Sequence, residues 1–190
     1  MGRAGSVLLL LPLLALTVIA TACDDNAFEV DWTPFPDTTV LYSLARPELN
    51  RPSAFNMEQR STIRIEVPGA TGQWDFAVDT RANQIVLLPP GALGVTSRAR
   101  ITALPGQKFA QVKEAPQDTA LYSATLPLPA QLNTTYVVRT DLRSTQFGGQ
   151  CTYYGKLEPL GIDVAGGSLE FVFDVSPVCN DRRLVPPDSL

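Results

Sequence analysis

Proline and glycine interrupt this chain at short intervals, and no other feature limits its fold as strongly. The 190 residues include 16 Pro and 13 Gly. Proline removes a backbone donor and breaks a helix interior, whereas glycine favours turns. We therefore expect many short elements joined by turns, which excludes helical bundles and coiled coils.

The clearest strand signal lies at residues 168–175, where large apolar side chains occupy every second position. This is the period of a strand with one buried face. A Gly-Gly pair just before it is a signal for a two-residue turn. A hairpin about that turn would place Ile162 opposite Phe171 and Leu160 opposite Phe173, with all the large apolar side chains on one face.

A second hairpin is predicted between residues 63–67 and 74–78, joined by the sequence PGATGQ. In its register Ile65 lies opposite Phe76. Further strands are predicted at residues 39–44, 84–88, 121–126 and 134–140, and also at 95–101 and 109–112. The chain is thus predicted to be all-β, an antiparallel β-sandwich or partly open barrel of about eight to ten short strands. A turn or two of helix fits only within residues 91–103.

The first 22 residues have the three-part pattern of a secretory signal peptide. Arg3 supplies the positive charge, and an uncharged apolar run of fourteen residues follows at 7–20. Such a run is too short to span a membrane. The small residues 20–22 then precede Cys23, which resembles the lipobox of bacterial lipoproteins, where the cysteine is acylated and becomes the new N-terminus. The alternative is cleavage at an Ala-x-Ala site and release of a soluble protein.

A lipid on Cys23 would hold the protein on the bacterial cell envelope, at the periplasmic face or the cell surface. The remaining length suits one domain. We expect four segments, namely a signal peptide at 1–22, an acidic lipid-anchored tether at 23–37, a single β domain at 38–179 and a flexible tail at 180–190.

Export also decides the state of the other two cysteines. Cys151 and Cys179 would form one even pair in an oxidising compartment, which favours a disulfide. On the loop-entropy account, closing the intervening segment would stabilise the fold by roughly 3.6 kcal/mol. The alternative is a soft-metal site, but two thiols without histidine make a poor ligand set.

The mature chain is acidic and lacks histidine. Without Arg3, 14 basic residues face 19 acids, so the net charge is −5. Nucleic-acid binding needs a basic face, so we expect no nucleic-acid partner. The absence of histidine removes the base of Ser-His-Asp and Cys-His devices. We therefore expect no catalytic residue, no metal and no cofactor.

Two aspartates invite a catalytic reading that the sequence does not sustain. The Asp79-Thr80 pair resembles the Asp-Thr-Gly turn of aspartic proteases, but Arg81 replaces the glycine and no second copy supplies the partner carboxylate. Both Asp75 and Asp79 fall on the polar side of the predicted strand at 74–78. We expect them to lie on a solvated sheet face.

Lysine and tyrosine give weaker signals. A Ser–Lys pair would need Lys108, Lys113 or Lys156, and no pattern singles out one of them. Tyr153 and Tyr154 would point to opposite faces of a strand, so one of them could be available to a ligand. The simpler interpretation is an edge-strand tyrosine with a hydrated hydroxyl.

Six short motifs give the chain a family resemblance. They are TVLYSL at 39–44, QWDFA at 73–77, KFAQVKEAPQD at 108–118, TYVVRT at 135–140, YGKL at 154–157 and SLEFVF at 168–173. In this order the chain is similar to the HmuY-type lipoproteins over residues 38–176. The resemblance implies an all-β fold tethered by lipid outside the cytoplasm. Its best-known members bind haem through histidines, and this chain has no histidine and one methionine, Met57, beyond the signal peptide. No binding residue of the family carries over.

These observations predict a non-catalytic binding module for a small ligand or an envelope partner, attached to the membrane through its lipid. The alternatives are a structural accessory subunit of an envelope complex and a histidine-free hydrolase that uses a pair of carboxylates. A ligand binder needs a concave pocket, whereas an assembly partner needs a broad exposed apolar patch.

Overall fold

The computed structural model of this protein describes residues 31–33, 36–145 and 148–187, so the predicted signal peptide and Cys23 lie outside the described residues. The described part forms twelve strands: β1 (Asp37–Tyr42), β2 (Ala54–Asn56), β3 (Ser61–Ile63), β4 (Phe76–Arg81), β5 (Gln84–Leu88), β6 (Arg100–Pro105), β7 (Leu128–Pro129), β8 (Thr134–Arg139), β9 (Arg143–Ser144), β10 (Gln150–Cys151), β11 (Tyr154–Asp163) and β12 (Ser168–Val175). Three single-turn 3₁₀ helices connect them at Pro90–Leu93, Phe109–Gln111 and Thr119–Leu121.

The strands form two five-stranded antiparallel sheets and a small ribbon. The first sheet has the order β1-β12-β11-β8-β6 and the second has the order β3-β2-β4-β5-β7, while β9 and β10 pair with each other. The two larger sheets pack face to face as a sandwich. The predicted all-β fold class is therefore confirmed.

Phenylalanine fills the centre of the sandwich. Phe55 and Phe76 from the second sheet meet Phe171 and Phe173 from the first, with ring centroids 4.6–6.0 Å apart. Edge-to-face contacts of this kind add to the free energy of apolar burial. The alternation predicted for residues 168–175 is confirmed, because Leu169, Phe171 and Phe173 all face this core.

The outer faces of both sheets are also covered in part. Trp74, which precedes β4, and Leu88 of β5 pack with Leu93 of the connection that follows β5. Val137 of the first sheet packs with a separate cluster that includes Tyr122. A strand of this domain is therefore not always buried on one face and solvated on the other.

The predicted register of the β11–β12 hairpin is wrong. A four-residue turn at 164–167 closes the hairpin instead of a two-residue turn. Ile162 therefore faces Leu169 rather than Phe171, and the register shifts again between Pro159 and Gly161. This bulge leaves Leu160 52% exposed, so it does not face the core as predicted.

The second predicted hairpin, between residues 63–67 and 74–78, is also wrong. β3 ends at Ile63, residues 64–67 form no strand, and β2 lies between β3 and β4. Ala54 of β2 faces Ile63 of β3 on one side and Ala77 of β4 on the other. All three residues of β2 are buried. A run of three is too short to give an alternation signal, although β2 lies inside the second sheet, between β3 and β4.

The remaining strand predictions are confirmed in part. The segment at 84–88 matches β5, and those at 39–44 and 134–140 overlap β1 and β8. The segment at 95–101 overlaps only the first two residues of β6. The strands predicted at 109–112 and 121–126 are wrong: the first holds a 3₁₀ helix, and the second makes a single bridge from Ser123 to Ile101.

Local capping explains why those two segments turn rather than extend. The Lys108 amide donates to Oε1 of Gln111 at 2.8 Å, which closes the 3₁₀ helix at Phe109–Gln111. In the second segment, the Leu126 amide donates to Oγ of Ser123 at 2.8 Å, which bends the chain. Side chains that bond to nearby backbone offer the chain an alternative to a sheet ladder.

The first residues of the expected flexible tail pack against the domain. Leu184 is buried, and its amide donates to the carbonyl of Lys113 at 2.9 Å. The Ala115 amide donates to the carbonyl of Arg182 at 2.8 Å. Residues 182–184 of the expected tail therefore pack against the domain and help to cover the first sheet.

Candidate functional site

A cavity of about 260 Å³ opens at the end of the sandwich where β1 begins and β12 ends. We call it the N-terminal cavity because the chain enters the domain beside it. Its lining comes from four separate parts of the chain: Asp31, Thr33, Glu58, Arg60, Tyr153, Val175, Ser176 and Pro177. Such a convergence of polar groups in a concave site is typical of ligand binding.

Arg60 forms one wall of the N-terminal cavity and is held by two carboxylates. Its NH1 lies 2.8 Å from Oδ1 of Asp174, and its NH2 lies 2.8 Å from Oδ2 of Asp37. Burial alone would lower the pKa of Arg60, but the hydrogen bonds and charges of Asp174 and Asp37 outweigh burial and raise it. Thr33 donates to Asp174 at 3.0 Å, which fastens the entering chain to the same network.

Glu58, on another wall, shares its partner Arg143 with the buried carboxylate of Asp75. Nε of Arg143 lies 3.2 Å from Oε2 of Glu58, and NH2 of Arg143 lies 2.7 Å from Oδ1 of Asp75. Asp75 is fully buried and also accepts the amides of Met57 at 2.9 Å and Asp141 at 3.2 Å. Burial raises the pKa of Asp75, and Arg143 opposes that rise. The expectation of a solvated Asp75 is wrong, because β9 brings Arg143 against it.

Ser176 and Tyr153, like Thr33, are hydroxyl-bearing residues of the cavity lining. Ser176 is fully buried, and its Oγ has no hydrogen-bond partner among the described residues. A buried hydroxyl without a partner costs about 1–3 kcal/mol, so each one calls for an explanation. Burial raises the pKa of Tyr153, and the negative charge of Glu58 raises it further.

The predicted disulfide is present and fastens the walls of the cavity. Cys151 and Cys179 are bonded, with their Cα atoms 5.2 Å apart. A hydrogen bond joins the two residues that follow the cysteines, because the Thr152 amide donates to Oδ1 of Asn180 at 3.0 Å. Tyr153 lies two residues beyond Cys151, so the bridge ties this wall to the segment that follows β12.

Close packing behind the cavity depends on a glycine. A β-carbon at Gly155 would lie 2.1 Å from Cε of Met57 and 2.9 Å from the carbonyl oxygen of Asp174. Met57 is fully buried, so its side chain fills the space that a larger residue at Gly155 would need. This contact holds the turn that carries Glu58 and Arg60 against β11.

The other residues considered in the sequence have structural surroundings. Asp79 accepts a hydrogen bond from Nε of Arg81 at 3.0 Å and another from Oγ of Ser43 at 3.3 Å. Its side chain is thus hydrogen-bonded to other protein groups rather than freely solvated. Tyr154 packs against the outer cluster of the first sheet, while its neighbour Tyr153 lines the cavity.

Lys156 is the lysine that the structure distinguishes. Its Nζ donates to the carbonyls of Phe109 at 2.9 Å and Val112 at 2.8 Å, and lies 4.4 Å from the centre of the Phe109 ring. Burial lowers the pKa of Lys156 to about 8, although Asp174 opposes this change. Lys156 therefore fixes the segment that covers the first sheet and does not line the N-terminal cavity.

A second cavity, of about 380 Å³, surrounds Arg46 at the other end of β1. Its guanidinium bonds to the carbonyls of Ser43 and Arg51 and to Glu66. Three protein partners already hold this side chain, which favours a structural role.

Within the described ranges, no three His, Cys, Asp or Glu side chains come together as metal ligands. The same residues form no helix with the length and apolar character that crossing a membrane requires.

Comparison with known proteins adds no assignment: no family model, curated protein or solved structure matches this chain.

Sequence reasoning missed Glu58, Arg60 and Ser176. The first two flank a glutamine in an irregular turn, and the third follows the last strand of the first sheet. Their spacing fits no motif, because only the folded chain brings them together. The paired tyrosines gave the one signal in the sequence that pointed to this cavity.

Proposed function

We propose that this protein is a lipid-anchored, non-catalytic binding module of the bacterial cell envelope, which holds a small ligand in the N-terminal cavity. The observation that carries the proposal is Ser176, whose fully buried hydroxyl has no partner among the described residues although it lines an open cavity. A ligand atom bonded to that hydroxyl would remove the cost of leaving it unpaired.

The size and construction of the cavity support a small ligand. Its volume of about 260 Å³ falls just below the usual range for drug-sized ligands. Ion pairs at Arg60 and a disulfide beside Tyr153 hold its walls in place. Preformed walls lower the free-energy cost of ordering side chains on binding.

The predicted lipid anchor would keep this cavity near the membrane. The eight Cα-to-Cα steps from Cys23 to Asp31 can span at most about 28 Å. A lipid on Cys23 would therefore hold the mouth of the cavity within reach of the headgroups. Under this proposal the ligand comes from the envelope or from a molecule that diffuses to it.

A structural accessory role in an envelope complex is the second candidate. Leu121 and Leu126 are 57% and 69% exposed, and they lie on either side of the bridge that Ser123 makes to the edge strand β6. Apolar side chains at a sheet edge suit a protein partner. We also propose that the chain is related to the HmuY-type lipoproteins, and this proposal does not extend to haem binding.

Native mass spectrometry of the protein purified from its own membrane tests the proposal. We expect a lipid on Cys23, an intact disulfide and a bound small molecule. The Ser176→Ala variant should lose the small molecule, whereas Ser53→Ala should retain it. Ser53 is a matched control because it is also fully buried with an unpartnered hydroxyl, but it does not line the cavity.

Three results would contradict the proposal: an unmodified thiol at Cys23, a protein that carries no small molecule, or equal retention by the Ser176→Ala and Ser53→Ala variants. The first would remove the anchor, and the other two would remove the cavity as the ligand site.

A further inference from the structure

The N-terminal cavity is rich in hydrogen-bond acceptors. The residues that line it include two acids, Asp31 and Glu58, and the hydroxyl-bearing Tyr153 and Ser176. Carboxylates accept hydrogen bonds and do not donate them, while hydroxyls can do both. A ligand that complements this lining must bring N–H or O–H donors.

Arg60 is the one cation among the described residues of this lining, and it is already bonded to other groups of the protein. Arg60 donates through Nε and NH2 to Asp37, and through NH1 to Asp174 and Thr33. Its guanidinium also lies over the Phe173 ring, 4.9 Å from the centroid. The positive charge of Arg60 is therefore shared between two carboxylates and does not attract an anionic ligand.

Carboxylates outnumber guanidinium groups around the cavity. Arg60 faces both Asp37 and Asp174, while Arg143 faces both Glu58 and Asp75. Asp31 adds a further negative charge at the lining, and the Lys156 ammonium, which interacts electrostatically with Asp174, adds a positive charge behind it. Protonation of Asp75, whose pKa burial raises, would reduce this excess without removing it. The local field thus favours a cation.

We infer that the N-terminal cavity selects ligands that carry a primary ammonium group, with Glu58 as the main carboxylate partner and Ser176 as a hydroxyl acceptor. This inference rests on the proposed function, because it names the ligand class of the same site. A primary ammonium offers three N–H donors in a compact cation, which suits a cavity of this size and an acceptor lining. A quaternary ammonium has no N–H to donate, and a neutral alcohol does not compensate the excess of carboxylates.

Titration with small probes tests the selection directly. Ethanolamine, choline and ethylene glycol are titrated into protein expressed from the full chain, and binding is followed by amide chemical shifts of residues 58–60, 153 and 176. We expect ethanolamine to bind at least tenfold more tightly than choline or ethylene glycol. Equal binding of either comparison probe would overturn the inference.

The charge of Glu58 is tested by Glu58→Gln with Glu48→Gln as the matched control. Glu48 is an exposed acid at the opposite end of β1, so its substitution changes the net charge equally without touching the cavity. We expect Glu58→Gln to weaken ethanolamine binding at least tenfold and Glu48→Gln to change it less than twofold. Unchanged binding in a folded Glu58→Gln variant, with its thermal unfolding curve as the check of folding, would overturn the role of this carboxylate.

A primary ammonium could come from a phospholipid headgroup or from a soluble amine. Short-chain dihexanoyl phosphatidylethanolamine, titrated below its micelle concentration, distinguishes the two. Binding at least tenfold tighter than that of ethanolamine assigns the ammonium to a headgroup, and equal or weaker binding assigns it to a soluble amine. If native mass spectrometry finds a bound molecule that depends on Ser176 but carries no amine, this inference fails while the proposed function stands.

Discussion

Replacing Arg143 with methionine should destabilise the protein strongly, because it leaves a buried carboxylate without its charged partner. Asp75 is fully buried, and NH2 of Arg143 lies 2.7 Å from its Oδ1. Only the amides of Met57 and Asp141 would remain as partners. Breaking a buried pair on one side costs about 3–5 kcal/mol, which is a large part of the stability of a typical domain.

Urea denaturation of the wild type, the two single variants and the double variant measures this loss of stability and its origin. We expect Arg143→Met to lower the free energy of unfolding at pH 7 by about 3–5 kcal/mol. The double variant Asp75→Asn/Arg143→Met should recover a large part of that loss, since no buried charge is left unpaired. The single variant Asp75→Asn completes the cycle, and residues in contact show coupling of about 0.5–3 kcal/mol.

The same variant should respond to pH in a defined direction. Burial raises the pKa of Asp75 in the folded protein, and removing Arg143 takes away the group that opposes this rise. The folded state then binds a proton more readily than the unfolded state, so stability falls as pH rises above the ordinary carboxyl range. The deficit of Arg143→Met should therefore shrink on acidification towards that range. The reasoning would be refuted if Arg143→Met lowered the free energy of unfolding at pH 7 by less than about 1 kcal/mol, or if the double variant were no more stable than Arg143→Met.

Three further predictions follow from the packing, the disulfide and the buried lysine. Gly155→Ala should lower stability by about 1–3 kcal/mol in thermal or urea unfolding, because the new methyl group would meet Cε of Met57; an unchanged midpoint would contradict this overpacking. Replacing Cys151 and Cys179 together with alanine should cost roughly 3.6 kcal/mol in the same assay, and a loss below about 1 kcal/mol would show that the bridge adds little. The Cε resonance of Lys156 should titrate near pH 8, and titration near 10.5 would contradict its burial. Between pH 8 and about 10.5 this lysine should make the protein more stable as pH rises, because the unfolded chain binds the proton more tightly than the folded one.

The strand content could be predicted from sequence because it depends on local patterning. The runs at 84–88 and 168–175 carry enough apolar residues to identify β5 and β12, and the structure confirms both. Cysteine parity and the predicted export led to the disulfide between Cys151 and Cys179. Each of these inferences uses residues whose type alone limits their environment.

Strand pairing could not be predicted, because it depends on residues far apart in the chain. The three residues of β2 separate β3 from β4, and a single extra residue, Leu160, shifts the register of the β11–β12 hairpin. The burial of Asp75 could not be predicted for the same reason, since its partner Arg143 comes from a different part of the sequence. Lone polar residues such as Ser176 carry no pattern, so the cavity became visible only in three dimensions.

A crystal structure of the protein purified from its own membrane is the most direct test of the N-terminal cavity as a ligand site. We expect electron density for a small molecule within hydrogen-bond distance of Oγ of Ser176 and close to Glu58. A well-ordered cavity that contains only water, with the Ser176 hydroxyl bonded to it, would contradict the account.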